Sequence, residues 1–271
     1  MGEEALRRKG AEHGGGGVSL LELNDATIKF GGLTAVNSVS FALKKGDLFG
    51  LIGPNGAGKT TCFNIITGVY KPTSGEILFE DRPITGTPPN KIAKLGIART
   101  FQNIRLFKSL SVLENVVVGG FLRHHTGLFS ALAYLPPAIA ETNRLKEEAM
   151  ELLRVVDLEH VANVRSADLS YGMQRRLEIA RAMATQPKLL LLDEPAAGMN
   201  PMEKEELNRM VRKIRDEHNM TVLLIEHDMR FVMSLCERIV VLDHGEEIAQ
   251  GPPAEIRNDP KVIAAYLGEA V

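Results

Sequence analysis

The sequence predicts an α/β fold, a parallel sheet with helices on both faces, interrupted by a mostly helical segment. Three observations carry this. Short, nearly unbroken apolar runs, "KLLLLD" (188–193), "TVLLIE" (221–226) and "RIVVLD" (238–243), alternate with helical patterns, as strands buried on both faces do. A further such strand, "LFGLIG" (48–53), leads through a glycine-rich loop into the helical "KTTCFNIIT". Between about residues 103 and 170 strands vanish and amphipathic segments take over.

The first seventeen residues, with the glycine run 14–17, lack the apolar centre of a secretion signal and read as a disordered tail, 1–17. "LLELNDATIKF" (20–30) and "NSVSFALKKGDLFGLIG" (37–53) are strand-like, the latter pair joined by a "KKGD" turn at 44–47. "GEILFEDRPI" (75–84) is a strand with its turn, and "GIARTF" (96–101) is another strand. Within "AETNRLKEEAMELLRVV" (140–156), Leu145, Ala149, Leu152 and Leu153 mark the apolar side of a helix. In "DLSYGMQRRLEIARA" (168–182) a polar turn, Ser170-Tyr171-Gly172, opens a helix with Leu177, Ala180, Met183 and Ala184 on one face. Such helix starts attract anions, because their first N–H groups are unpaired.

The 271 residues suffice for one large domain, and 44% apolar with 24% charged residues is ordinary globular composition. A formal charge of −2 gives no electrostatic footprint for nucleic acid, and no nucleic-acid partner is expected. No stretch reaches the ~18 apolar residues of a membrane span. The best candidate, "GLFSALAYLPPAIA" (127–140), is too short and is broken by Pro136 and Pro137. Cys62 and Cys236 show no metal-ligand spacing and read as buried, reduced thiols of a cytoplasmic protein.

"GPNGAGKTT" (53–61) fits the phosphate-loop pattern G-x-x-x-x-G-K-[ST] and lies where that motif must lie, between strand and helix. Gly53, Gly56 and Gly58 let the backbone curl with its N–H groups turned inward. Lys59 supplies a point charge for the β and γ phosphates, and the Thr60 hydroxyl is a magnesium ligand. "LLLLDEP" (189–195) places Asp193 and Glu194 at the carboxyl end of a buried strand, where open α/β sheets hold ligands. Asp193 can hold Mg2+, directly or through water, and Glu194 is placed to polarise the water attacking the γ phosphate. Gln102 follows a strand, and its amide is in range of magnesium and that water. His227 ends another strand in "EHD" and is a candidate γ-phosphate contact. A lone Gln or His is more often structural, and Phe30 is equally an adenine stacking platform or a plain core residue.

With the phosphate loop, Gln102, "LSYGMQRR", "LLLLDEP" and His227 in this order, the chain resembles the nucleotide-binding subunit of ABC transporters from about residue 20 onward. The resemblance implies an ATPase domain over 18–271 that uses ATP and Mg2+. Residues 18–102 and 171–271 would form the ATP-binding core with an N-terminal antiparallel β subdomain. Residues 103–170 would form a helical subdomain ending in the signature turn. Asn55, Ala57 and Thr61 would join the other loop residues in binding nucleotide. In that family two ATPase subunits pair head to tail, so Ser170 and Gly172 would bind the γ phosphate of the partner's ATP. The implied partners are a second ATPase subunit (self or paralogue), integral membrane permeases and, indirectly, a solute-binding protein. They would place the chain on the inner face of the plasma membrane.

Three positions depart from the common pattern. Tyr171 and Met173 stand where LSGGQ has its first glycine and its glutamine, and Asn200 stands where an aspartate is usual. "SYGMQRRLEIARA", "DEPAAGMNP", "HHTGLFSALAYLPP" and the ending "NDPKVIAAYLGEA" look like the larger ATPase subunit of branched-chain amino acid importers. Lipopolysaccharide-export ATPases share a similar "YLGE" ending and are the alternative; a soluble ABC ATPase of DNA repair or translation and a non-hydrolytic nucleotide switch fit less well. Ile104, Leu106 and Phe107 are either part of a permease-docking groove or core between the subdomains.

Overall fold

The computed structural model describes residues 19–121 and 136–267. The tail 1–17, most of the apolar stretch 127–140 and the last residues of the "YLGE" ending lie outside the described residues. In chain order the strands are β1 (Ser19–Phe30), β2 (Leu33–Lys44), β3 (Leu48–Ile52), β4 (Ser74–Phe79) and β5 (Arg82–Pro83). They continue as β6 (Ile97–Arg99), β7 (Leu189–Asp193), β8 (Thr221–Ile225), β9 (Arg238–Asp243) and β10 (Glu246–Gly251). The helices are α1 (Lys59–Ile66), α2 (Pro89–Leu95), α3 (Val112–Gly120), α4 (Pro136–Val155) and α5 (Tyr171–Met183). After them come α6 (Pro201–His218), α7 (Met229–Leu235), α8 (Pro253–Ile256) and α9 (Pro260–Leu267).

The predicted parallel sheet is present, in the order β10-β9-β3-β8-β7-β6, with only its β10 edge antiparallel. Its strands alternate between two cores. Leu190, Leu192, Val222 and Leu224 face a cluster shared with α3 to α7, while Leu189, Leu191, Leu223 and Ile225 face one shared with α1 and the second sheet. Both faces are covered, which is why these strands read as unbroken apolar runs. The second sheet is antiparallel, in the order β2-β1-β4-β5.

The "KKGD" turn forms, with Lys44 N donating to Asp47 Oδ2 at 2.7 Å and Asp47 N to Lys44 O at 3.2 Å. It does not close a hairpin, however. β2 pairs with β1 and β3 with β8 and β9, so the turn passes the chain from one sheet to the other. A real hairpin that the sequence analysis leaves out joins β9 to β10. Its central residues His244 and Gly245 have φ of 46° and 84°, the left-handed pair that matches the twist of a two-residue hairpin.

α3 starts from a capping box in which Ser111 Oγ accepts from Glu114 N and Glu114 returns a carboxylate to Ser111 N. It crosses α5 so closely that a Cβ on Gly119 would lie 2.4 Å from Arg181 O. Leu145, Ala149 and Leu153 of α4 are buried, as their spacing predicts. The two cysteines are buried in different cores, and burial pushes the Cys62 thiol up to about 12 and raises Cys236 as well. Among the described residues no helix is long and apolar enough to cross a membrane.

Candidate functional site

The phosphate loop leaves β3 at Gly53, with φ of 149° at Gly53, 79° at Gly56 and 101° at Gly58. Two of these glycines also lie against other backbone. A Cβ would fall 2.0 Å from Leu242 O at Gly53 and 2.6 Å from Ala35 O at Gly58. Lys59 is buried at the first position of α1 and donates to Gly53 O and Pro54 O, both at 2.7 Å. The first turn of α1 holds no acidic residue to offset the positive end of the helix dipole or the lysine. Asn55, Gly56 and Thr60 are exposed, Thr61 and Gly58 are half-buried and Ala57 is buried. Gly53→Ala is expected to add about 1–3 kcal/mol of backbone strain, on top of the clash, and to abolish ATP binding. Thermal unfolding and equilibrium nucleotide binding measure the two effects.

Three candidate residues, each following a different strand of the parallel sheet, converge on one another. Gln102 Nε2 donates to Glu194 Oε2 at 3.0 Å, and His227 Nδ1 lies 3.7 Å from the same oxygen. Glu194 follows β7 in the left-handed region, φ 47°, and its N–H is fixed by Ile225 O at 2.9 Å. That conformation turns its carboxylate out of the strand line toward Gln102. Asp193 is buried, and its Oδ2 accepts from Arg99 at 2.6 Å. Phe30 is 44% exposed at the end of β1, with Tyr70 edge-on at 5.2 Å, so it is not a core residue.

Ser170 and Gly172 belong to a different neighbourhood. The phosphate loop leans on β2 and β9, whereas a Cβ on Gly172 would meet Glu203 of α6 at 3.1 Å and the Tyr171 ring lies beside Gly198. Ser170 caps α5, its Oγ accepting from Met173 N at 3.4 Å, and is exposed. Asn200 caps α6 in a reciprocal box with Glu203, which accounts for its side chain structurally. Ile104 and Leu106 are half-buried, Leu106 packing on the core, and of the three docking candidates only Phe107 is well exposed, at 49%.

Residues 36–197 match the ABC transporter family, and residues 246–271 match its branched-chain amino acid ATP-binding cassette transporter segment. The chain belongs to the ABC transporter family. It is 51% identical over 252 residues to the high-affinity branched-chain amino acid transport ATP-binding protein LivG of Escherichia coli (strain K12), spanning 93% of this chain and 98% of that protein. The crystal structure of the ADP conformation of an ABC-transporter cassette superposes with a TM-score of 0.81 at 32% identity, over 92% of this chain and 99% of the other. A dimeric cassette in a post-hydrolysis state, bound to ADP and Pi, aligns at 28% identity with a TM-score of 0.72, over 86% and 98%.

Two buried charged residues of this ATP-binding cassette, Arg175 and Glu226, and the half-buried Arg99 escaped the sequence analysis. Arg99 joins Asp193 to α1, donating also to Asn64 Oδ1 at 2.7 Å, with its guanidinium over the rings of Phe63 and Phe101. Arg175 of α5 is fully buried and donates to Phe101 O (2.6 Å), Gln102 O (2.7 Å), Glu178 Oε2 (3.0 Å) and Tyr171 Oη (3.1 Å). It thereby holds the irregular segment carrying Gln102 to the helix that begins at the signature turn. Glu226, just before His227, is fully buried.

Proposed function

We propose that this cassette hydrolyses ATP in a head-to-tail dimer and couples that cycle to uptake of branched-chain and other hydrophobic amino acids through membrane permeases. The observation that carries the catalytic half is the meeting of Gln102, Glu194 and His227 after the carboxyl ends of β6, β7 and β8, in the same parallel sheet as β3. The loop and Lys59 bind the phosphates, and Phe30 offers a ring to adenine. Glu194 takes the proton of the attacking water, Gln102 orients that water, and His227 contacts the γ phosphate. The substrate class rests on 51% identity to the Escherichia coli branched-chain amino acid transport protein, which supports the amino acid importer over the lipopolysaccharide exporter.

Thr60, Asp193 and Gln102 offer hydroxyl, carboxylate and amide oxygens, the hard donor set that suits Mg2+. Gln102 fits this role because its amide nitrogen is the end turned to Glu194, leaving the oxygen for a metal. When bound, the ion would neutralise charge developing on the phosphates. Residues 18–102 and 171–271 act as the ATP-binding core and 103–170 as the helical subdomain. The segment after Gln102, with Phe107 exposed, would meet the permease. The chain then sits peripherally on the inner face of the membrane, with a solute-binding protein acting at a distance.

The dimer reading is supported by the placement of Ser170 and Gly172 at the start of α5, against α6, whereas the loop that carries Lys59 lies against β2 and β9. It is tested with Ser170→Ala. Loss of one phosphate-binding group is expected to lower turnover about a hundredfold. Wild-type turnover should also fall on dilution as the dimer separates. A monomer working at full speed, indifferent to Ser170, refutes the shared pocket.

A further inference from the structure

Glu226 is a buried carboxylate to which the proposed mechanism gives no task. Its Oε1 accepts from Ala196 N at 2.7 Å, and its Oε2 accepts from His227 N at 3.1 Å and Asp228 N at 3.5 Å. Burial raises its pKa, while these backbone amides and the nearby His227 pull it down. Ala196 stands two residues after Glu194 in the turn that leaves β7, and His227 opens the turn that leaves β8. One side chain therefore spans the two turns whose functional groups face each other across 3.7 Å. Its Oε2 also lies 3.9 Å from His227 Nδ1, so the imidazole stands between two carboxylates. An apolar residue would fill this buried position with no desolvation penalty, but it would leave the Ala196 and His227 amides unpaired.

We propose that Glu226 is a positioning residue for hydrolysis: it fixes the turn after β7 to the turn after β8, and so holds Glu194 and His227 in working register. This rests on the roles given above to those two residues. It acts through them and need not touch nucleotide.

The test is Glu226→Gln in the full chain. The amide keeps the size but sets an N–H2 group against a backbone N–H. Turnover at saturating ATP is expected to fall about tenfold, the effect of one lost buried hydrogen bond on the reacting geometry. The ATP concentration for half-maximal rate should stay within about twofold, since the phosphate loop lies on other elements. In a cycle with His227→Ala, the double variant should lose clearly less than the product of the two single losses, because both act on one arrangement. Unchanged turnover in Glu226→Gln, multiplicative losses, or a parallel rise in the half-saturating ATP concentration overturns the proposal. If the Gln variant does not fold, Glu226→Ala, whose vacated space admits water to the amides, is measured against the same criteria. Wild-type turnover in His227→Ala alone would instead refute the role of His227, and with it the register, without any change at Glu226.

Discussion

Glu194→Gln is expected to stop ATP hydrolysis while leaving ATP binding intact and the closed dimer trapped. The carboxylate sits in a left-handed turn residue anchored by Ile225 O, and it accepts a hydrogen bond from Gln102 while facing His227. Glutamine preserves the volume but has no lone pair basic enough to take a proton from water. Loss of a general base costs about 10²–10⁴ in rate. The contacts that would hold phosphate come from Gly53, Gly58, Lys59 and the first turn of α1, and none of these changes. Magnesium-dependent phosphate release should therefore fall to background, while nucleotide binding persists and size-exclusion chromatography with ATP shows a stable dimer. Undiminished phosphate release would remove Glu194 from the mechanism. An inactive chain that also failed to bind ATP would point to a folding defect, which thermal unfolding would reveal.

The parts of this site that were legible in the sequence are those whose chemistry is encoded by local spacing. The loop 53–61 announces itself because three glycines, a lysine and a threonine must follow one another for the backbone to curl around phosphate. Asp193, Glu194 and His227 are legible as candidates because apolar runs locate strand ends, and strand ends of open α/β sheets are where ligands sit. The buried ionic partners had no such signal. Arg175 meets carbonyl oxygens of residues 73 and 74 positions away, and any sequence encodes a carbonyl at every residue. Arg99 and Glu226 look like ordinary polar residues flanking strands until the fold brings Asp193 and Ala196 to them. The "KKGD" turn is legible as a turn, but the pairing of its flanking strands is not. A tight turn fixes chain reversal locally, but whether the flanking strands pair is decided by which sheet each one's apolar face can cover.

Arg175→Ala is expected to be the most destabilising single change at the site, and its effect should grow with pH. Arg175 and Glu178 are buried together at 0% and 1% side-chain exposure, 3.0 Å apart. Removing one member leaves a buried carboxylate without its cation, which costs about 3–5 kcal/mol. For a domain of this size that lowers the unfolding midpoint by about 10 °C. Burial already raises the Glu178 pKa, and the Arg105 amide and the Arg175 guanidinium partly counter it. The sign follows from that direction. A carboxyl whose folded pKa lies above its unfolded value binds more protons when folded, so its stability penalty appears as pH rises past the unfolded value and is complete above the folded one. Without Arg175 the folded pKa climbs further, and the penalty widens. The gap in unfolding midpoint between wild type and variant should therefore be larger at pH 7.5 than near pH 5, which lies closer to the unfolded value. Arg175→Lys should recover only part of the loss, since an ammonium lacks the planar fork that reaches Phe101 O and Gln102 O together. Turnover of the folded fraction should fall as well, because the Gln102 segment loses its tie to α5. An equal gap at both pH values would mean that removing Arg175 leaves the proton binding of Glu178 unchanged over this window, which would overturn the predicted pH dependence.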